Sequence, residues 1–134
     1  MPLVRVELQQ EKPAEYRRAI SDAIQRSLVE VFSVPARDQF QVFSQHSGGT
    51  LVYNPDYLGI HRDENFLMVQ VFLSTGRTVE LKQAFYAKLA GLLKEKPGIR
   101  PENVMINLVE VRGEDWSFGN GVAQYVVLPR DQWK

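Results

Sequence analysis

The chain has no cysteine among its 134 residues. That excludes disulfides, thiolate catalysis and cysteine-bound metal. It has no excess of charge either. Sixteen basic residues balance sixteen acidic ones, so nothing electrostatic points to nucleic acid or to an anionic membrane. No run approaches the roughly 18 apolar residues of a membrane-spanning helix. No charged n-region followed by an apolar h-region marks a secretory signal, and the cytoplasm is the expected location. Histidine is scarce: His46 and His61 have no motif spacing to each other or to a carboxylate. No metal site and no cofactor is expected from so short a ligand supply.

What remains is the composition of an ordinary globular protein, 44% apolar and 24% charged. The simplest reading is one domain over 1–134. A chain of this size buries roughly two-thirds of its unfolded surface, enough for a real core.

The strongest pattern is internal repetition. Shifted by 65 residues, "PLVRVEL" (2–8) falls on "LMVQVFL" (67–73), "EYRRAISDAI" (15–24) on "ELKQAFYAKL" (80–89), and "VPARDQF" (34–40) on "IRPENVM" (99–105). One offset serves all three segments without a gap, which is the signature of a duplication. Each half opens on an alternating strand, about 2–9 and 65–74. A helix follows. Tyr16, Ile20, Ala23, Ile24, Ser27, Leu28 and Val31 recur at three- and four-residue spacing, as do Leu81, Phe85, Leu89, Leu92 and Leu93. Pro13 is expected at the first position of the first helix and Thr78 as the N-cap of the second. Lys94, Lys96, Pro97 and Gly98 end the second helix. Further strands are expected at about 39–46 and 103–111. Repeat 1 thus spans about 2–46 and repeat 2 about 65–111. The expected fold is α/β (α+β): a tandem β-α-β repeat with parallel pairing inside each unit, giving a four-stranded sheet with two helices on one face.

That leaves one sheet face uncovered. It would carry Leu3, Arg5 and Glu7 on one strand and Met68, Gln70 and Phe72 on its repeat. Such mixed character suits a surface covered by other subunits. The link 47–65 reads as loop with at most a short strand. The tail 112–134 holds Trp116, Phe118, Tyr125 and Trp133, with a turn signal at Asn120-Gly121. A tail so rich in large rings is expected to dock on something.

A tandem β-α-β chain opening Met-Pro-strand resembles the tautomerase superfamily and its macrophage migration inhibitory factor-like fold. "VPARDQFQVFSQH" (34–46), "STGRT" (74–78) and above all "DWSFGNGVAQY" (115–125) resemble its malonate semialdehyde decarboxylase branch. The resemblance covers nearly the whole chain. It implies a homotrimer with an active site near Pro2, the start methionine being removed so that proline becomes the catalytic amine.

Each residue so singled out has a physical rationale. A free N-terminal proline is a secondary amine, and α-amino groups titrate near pH 8. An apolar pocket and a nearby cation would lower that value. Neutral, the amine takes a proton from the carbon beside a carbonyl; protonated, it donates one. Arg77, beside the start of the second helix, can grip a substrate carboxylate with two parallel hydrogen bonds. The branch carries two arginines here, two positions apart; Thr75 stands at the first, so only Arg77 matches. Asp38 matches the branch's catalytic aspartate; its repeat counterpart Asn103 speaks for a turn role, but only one copy keeps the charge, which favours function. Trp116, Phe118, Tyr125 and Leu128 would form an apolar wall beside Pro2.

The expected function is proton transfer by Pro2 on a small carboxylate-bearing substrate, a 2-oxo acid or its enol. Catalytic roles fall to Pro2, Asp38 and Arg77, with Thr75, Trp116, Phe118, Tyr125 and Leu128 lining the substrate site. Decarboxylation of a 3-oxo acid such as malonate semialdehyde, or hydration of an unsaturated acid, is the alternative. A non-catalytic oligomeric binding protein is the reading from another class. A nucleotide- or phosphate-binding module lacks its glycine fingerprint.

Overall fold

The computed structural model describes residues 2–134. Met1, on which the expected processing turns, lies outside the described residues. The elements run β1 (Leu3–Gln9), α1 (Ala14–Phe32), β2 (Phe40–His46), β3 (Leu67–Ser74), α2 (Val79–Glu95), β4 (Val104–Val111) and a short α3 (Gln124–Val127). The four strands form one sheet in the order β2-β1-β3-β4. β1 and β2 are parallel, β3 and β4 are parallel, and β1 and β3 are antiparallel.

The duplication is exact at the level of register. Leu3 faces Phe40 in the first half; Met68 faces Met105 in the second, each partner 65 residues further on. Where the halves meet, Arg5 faces Gln70, its own counterpart. A pseudo-two-fold therefore passes between these two residues.

Period-2 and period-3.6 patterns explain the layers. Val4, Val6, Leu8, Leu67, Val69, Val71 and Leu73 point to one face and are buried. Ile20, Ile24 and Leu28 of α1 and Phe85, Leu89 and Leu93 of α2 cover them in a single apolar cluster. Phe32 and Phe85 stack between the helices with ring centroids 4.7 Å apart. Burying such side chains contributes about 1.5–3 kcal/mol each, before the entropy of ordering them.

Helix entry differs in one respect from expectation. Thr78 caps α2, its Oγ1 accepting the Leu81 N–H at 3.2 Å. Pro13 is not the first helical residue but the N-cap. Its ψ of 157° is extended, and its carbonyl accepts the N–H groups of Tyr16 and Arg17. The link from 47 to 66 forms no strand. It holds a single 3-10 turn (Tyr57–Gly59), with Leu51 buried and Tyr53 stacked on Phe66 at 4.7 Å.

The far sheet face is uncovered along most of its width. Phe40, Leu3 and Phe72 form one cross-strand row, Val42, Arg5, Gln70 and Asn107 the next. Phe40 is 49% exposed, Val42 44% and Met105 48%. Among the described residues no helix is long and apolar enough to cross a membrane.

Candidate active site

The site is built at one end of the sheet. Pro2 is buried and immediately precedes Leu3, whose ladder partners are Phe40 on one side and Phe72 on the other. The segment leading into β2, with Asp38, therefore lies to one side of Pro2. The segment leaving β3, with Thr75 and Arg77, lies to the other. β4 ends at the same edge, so the tail that follows Val111 starts there. It crosses to the opposite edge of the sheet, where Phe118 meets Phe40 with centroids 5.8 Å apart.

The tail is held by its own contacts. Asn120 and Gly121 both take positive φ, 60° and 67°, and reverse the chain; glycine adopts that region without a steric cost. The Gln124 side chain then clamps the turn. Its Oε1 accepts the Phe118 N–H at 2.8 Å and its Nε2 donates to the Gly119 carbonyl at 2.8 Å. The rings form a continuous chain: Trp116 stacks on Phe118 (5.5 Å, 9°), Phe118 meets Tyr125 edge-on (5.0 Å), and Tyr125 packs on Trp133 (4.5 Å). Trp133 is fixed in turn by its indole N–H, which donates to the Leu128 carbonyl.

Between the tail and the start of β2 lies a cavity of about 260 Å³. Asp38, Phe118, Tyr125 and Leu128 line it, so four of the expected site residues share one wall. Arg37, Phe40, Gln124 and Trp133 complete much of the rest. Thr75, Arg77, Trp116 and Pro2 are not among its walls. Trp116 backs Phe118 from behind. Its indole N–H is buried without a hydrogen-bond partner among the described residues, a deficit that typically costs about 1–3 kcal/mol.

Tyr125 is electrostatically tied to Asp38. Burial, and secondarily the Asp38 charge, push its phenol up to about 12. The hydroxyl stays protonated at neutral pH and can donate a hydrogen bond.

Arg77 sits on the other flank. Its guanidinium lies over the Phe32 ring at 5.1 Å and donates to the carbonyls of Ser74 (2.8 Å) and Phe32 (3.5 Å). Phe32 is the last residue of α1, so the cation also faces the negative end of that helix. Burial lowers its pKa from the ordinary arginine value while the Glu110 charge opposes the shift. Two of its five N–H groups are used in these bonds, leaving three for a ligand. Thr75 anchors the start of the tail through backbone, its N–H donating to the Val111 carbonyl at 2.9 Å. Gln124, Arg37 and Trp133 were not expected at the site. The first two lie inside the strings "DWSFGNGVAQY" and "VPARDQF", and the third among the tail aromatics.

Two family models, both described as tautomerase enzyme, match residues 38–119 and 2–60. The chain belongs to the tautomerase family. Among curated tautomerases, the probable tautomerase YusQ of Bacillus subtilis is 35% identical over 126 residues, 94% of this chain and 99% of the relative. Among solved structures, FG41 malonate semialdehyde decarboxylase inhibited by 3-bromopropiolate is 39% identical. It superposes with a TM-score of 0.86 over 92% of this chain and 94% of its own. The fold also recurs in a fused 4-OT solved as a symmetric trimer, at 21% identity and a TM-score of 0.75 over 93% of this chain and 98% of that one. The protein is thus an enzyme of the tautomerase superfamily.

Proposed function

We propose that this tautomerase-family enzyme interconverts the keto and enol forms of a small carbonyl acid, with Pro2 as the group that moves the proton. The observation that carries the reading is the placement of Pro2, buried at the start of β1 between the segment bearing Asp38 and the segment bearing Arg77. With the preceding residue removed, the proline nitrogen is a secondary amine. The Arg77 cation and the apolar surroundings both favour its neutral form. The neutral amine takes a proton from the carbon beside the carbonyl. The C–H electrons form the double bond, the carbonyl oxygen takes the charge, and the enolate oxygen picks up a proton from solvent to give the enol. The reverse step returns the proton to carbon.

Arg77 holds the substrate carboxylate with its remaining N–H groups, beside the N-terminus of α2. Asp38 and the protonated Tyr125 phenol address the carbonyl end. Phe118 and Leu128 supply apolar wall beside these groups. The cavity of about 260 Å³ walled by Asp38, Phe118, Tyr125 and Leu128 would take the carbonyl end of a small substrate. The uncovered sheet face, with its exposed Phe40, Val42 and Met105, supports assembly as a homotrimer.

Decarboxylation of a 3-oxo acid is a second reading. The likeness to malonate semialdehyde decarboxylase favours it, since the same amine and arginine would stabilise the enolate left when carbon dioxide departs. Intact mass and one variant decide the chemistry. A protein one methionine lighter, whose Pro2→Ala variant loses turnover of a phenylenolpyruvate-type enol or a 3-oxo acid, supports the proposal. Full-length protein from its native host overturns it and favours a non-catalytic oligomer; unchanged turnover by Pro2→Ala overturns the proline mechanism. Sedimentation as a monomer at micromolar concentration would remove the trimer.

A further inference from the structure

Gln25 has no place in the reading above, and it is not among the cavity walls. It sits midway along α1, against the segment that carries Asp38. Its Nε2 donates to the Ala36 carbonyl and to the Asp38 carbonyl, both at 3.2 Å. We infer that Gln25 is a positioning residue: by gripping the backbone on both sides of the Asp38 side chain, it holds that carboxylate at the cavity. The inference rests on the proposed function and names what keeps one of its groups in place.

The amide fixes two points of one turn. The Asp38 N–H closes that turn on the Pro35 carbonyl at 3.0 Å. The Ala36 carbonyl belongs to the peptide plane before Arg37, and the Asp38 carbonyl to the plane after Asp38. With both planes tied to one nitrogen, the dihedral angles between them have little freedom. The Asp38 side chain leaves the backbone inside that stretch and lines the cavity with Tyr125.

Packing alone does not account for a glutamine here. The Gln25 Oε1 is buried with no hydrogen-bond partner among the described residues. An unpaired buried acceptor costs stability, so an apolar side chain of the same length would fill the space better. What the amide adds is its two N–H groups.

The second half of the chain secures the same point differently. The counterpart of Gln25 is Ala90, whose side chain has no donor. There Asn103, the counterpart of Asp38, bonds Asp63 through its own side chain. One half anchors the segment by the residue itself. The other anchors it from the helix, with the Asp38 side chain at the cavity wall.

The test uses Gln25→Met, which keeps the length and removes the donors. Its kcat is expected to fall about tenfold with KM changed by less than about twofold, the scale on which a misplaced group acts. In an alkaline titration the Tyr125 step near 12 should move to lower pH, because the Asp38 charge no longer stands in place. Both effects should disappear when Gln25→Met is added to Asp38→Asn, since they act through that carboxylate. Should Gln25→Met fail to fold, Gln25→Asn keeps the donors on a stem one carbon shorter, and the same readings apply.

Gln41 on β2 is the control. Its Nε2 donates to the Ser21 carbonyl of α1 at 3.3 Å and its Oε1 is likewise buried and unpaired, but it ties down the strand and not the Asp38 turn. Gln41→Met should lose similar stability in urea and leave kcat and the Tyr125 step unchanged. An unmoved Tyr125 step in Gln25→Met, effects matched by Gln41→Met, or effects undiminished beside Asp38→Asn overturn the inference. If Asp38→Asn itself leaves turnover intact, the catalytic role of Asp38 is lost instead, and the Tyr125 step still decides Gln25.

Discussion

Asp38 and Asn103 occupy the same point in the two halves of the chain, 65 residues apart, and face different surroundings. Asn103 is 1% exposed and locked into the frame. Its Oδ1 accepts the Asp63 N–H at 2.9 Å and its Nδ2 donates to Asp63 Oδ1 at 2.8 Å. Asp38 lines the cavity. The Asn103 carboxamide serves as a two-way clamp that a carboxylate could not make, since it needs a donor as well as an acceptor. Pro2, buried at the start of β1, likewise has a counterpart of different chemistry, Leu67, which is fully buried in the core. The duplication builds the frame, and its departures from symmetry collect at one end of the sheet.

The pair therefore separates stability from activity. Asn103→Ala strips two hydrogen bonds from Asp63 and should cost about 2 kcal/mol, lowering Tm by roughly 5–10 °C. Asp38→Asn should change stability by less than about 1 kcal/mol and lower turnover about 100-fold. Urea unfolding and steady-state kinetics on both variants check this. Equal losses of stability would show that Asp38 is a structural residue like its counterpart.

The Tyr125 phenol gives a spectroscopic handle on the cavity. Its pKa is pushed up to about 12, by burial first and by the Asp38 charge second. In an alkaline titration followed at the tyrosinate absorption band, a late step near 12 should vanish in Tyr125→Phe. Asp38→Asn removes one negative neighbour and stabilises the phenolate, so the step should move to lower pH without reaching the ordinary tyrosine value. No movement would place the two side chains out of electrostatic reach.

The two strands and the helix of each half were legible because their patterns are local: alternation for strands, three- and four-residue spacing for helices, and one offset linking both halves. The boundaries came within a residue or two. Pro13 was misplaced by one position because an N-cap and a first helical residue share φ and differ only in ψ. The site was harder to read. Phe118 meets Phe40, and Arg77 reaches the Phe32 carbonyl, across 45 or more residues. No local pattern encodes such contacts. The resemblance pointed to Asp38 and the tail rings, but the roles of Gln124 as a clamp and Trp133 as a wall depend on a turn whose geometry appears only in three dimensions.

Asp63 should make stability depend on acid pH. The Asn65 N–H, then the Asn103 amide and Arg100, hold its carboxyl below the usual range, while burial acts in the other direction. Its folded pKa thus lies below its unfolded value near 4. Its contribution is full above the unfolded pKa and is lost as pH falls through the folded one. Asp63→Asn should be less stable than wild type at pH 7, and the gap should close below about pH 4. A gap that persists at pH 2 would mean that the carboxylate charge adds nothing.

Arg77 joins frame and site, and the conservative substitution exposes both roles. Lysine keeps the charge but has no planar fork. It can reach one of the Ser74 and Phe32 carbonyls, not both, and cannot stack flat on the Phe32 ring. Arg77→Lys should therefore lose about 1 kcal/mol of stability and raise KM for a carboxylate substrate roughly tenfold, with a smaller effect on kcat because a cation still stands beside Pro2. Arg77→Ala removes that cation as well. The Pro2 amine should then titrate at higher pH, and the basic-form activity should shift upward in a pH–rate profile. A profile unmoved in Arg77→Ala would show that the guanidinium is too far from Pro2 to set its protonation, and would leave Arg77 the structural role alone.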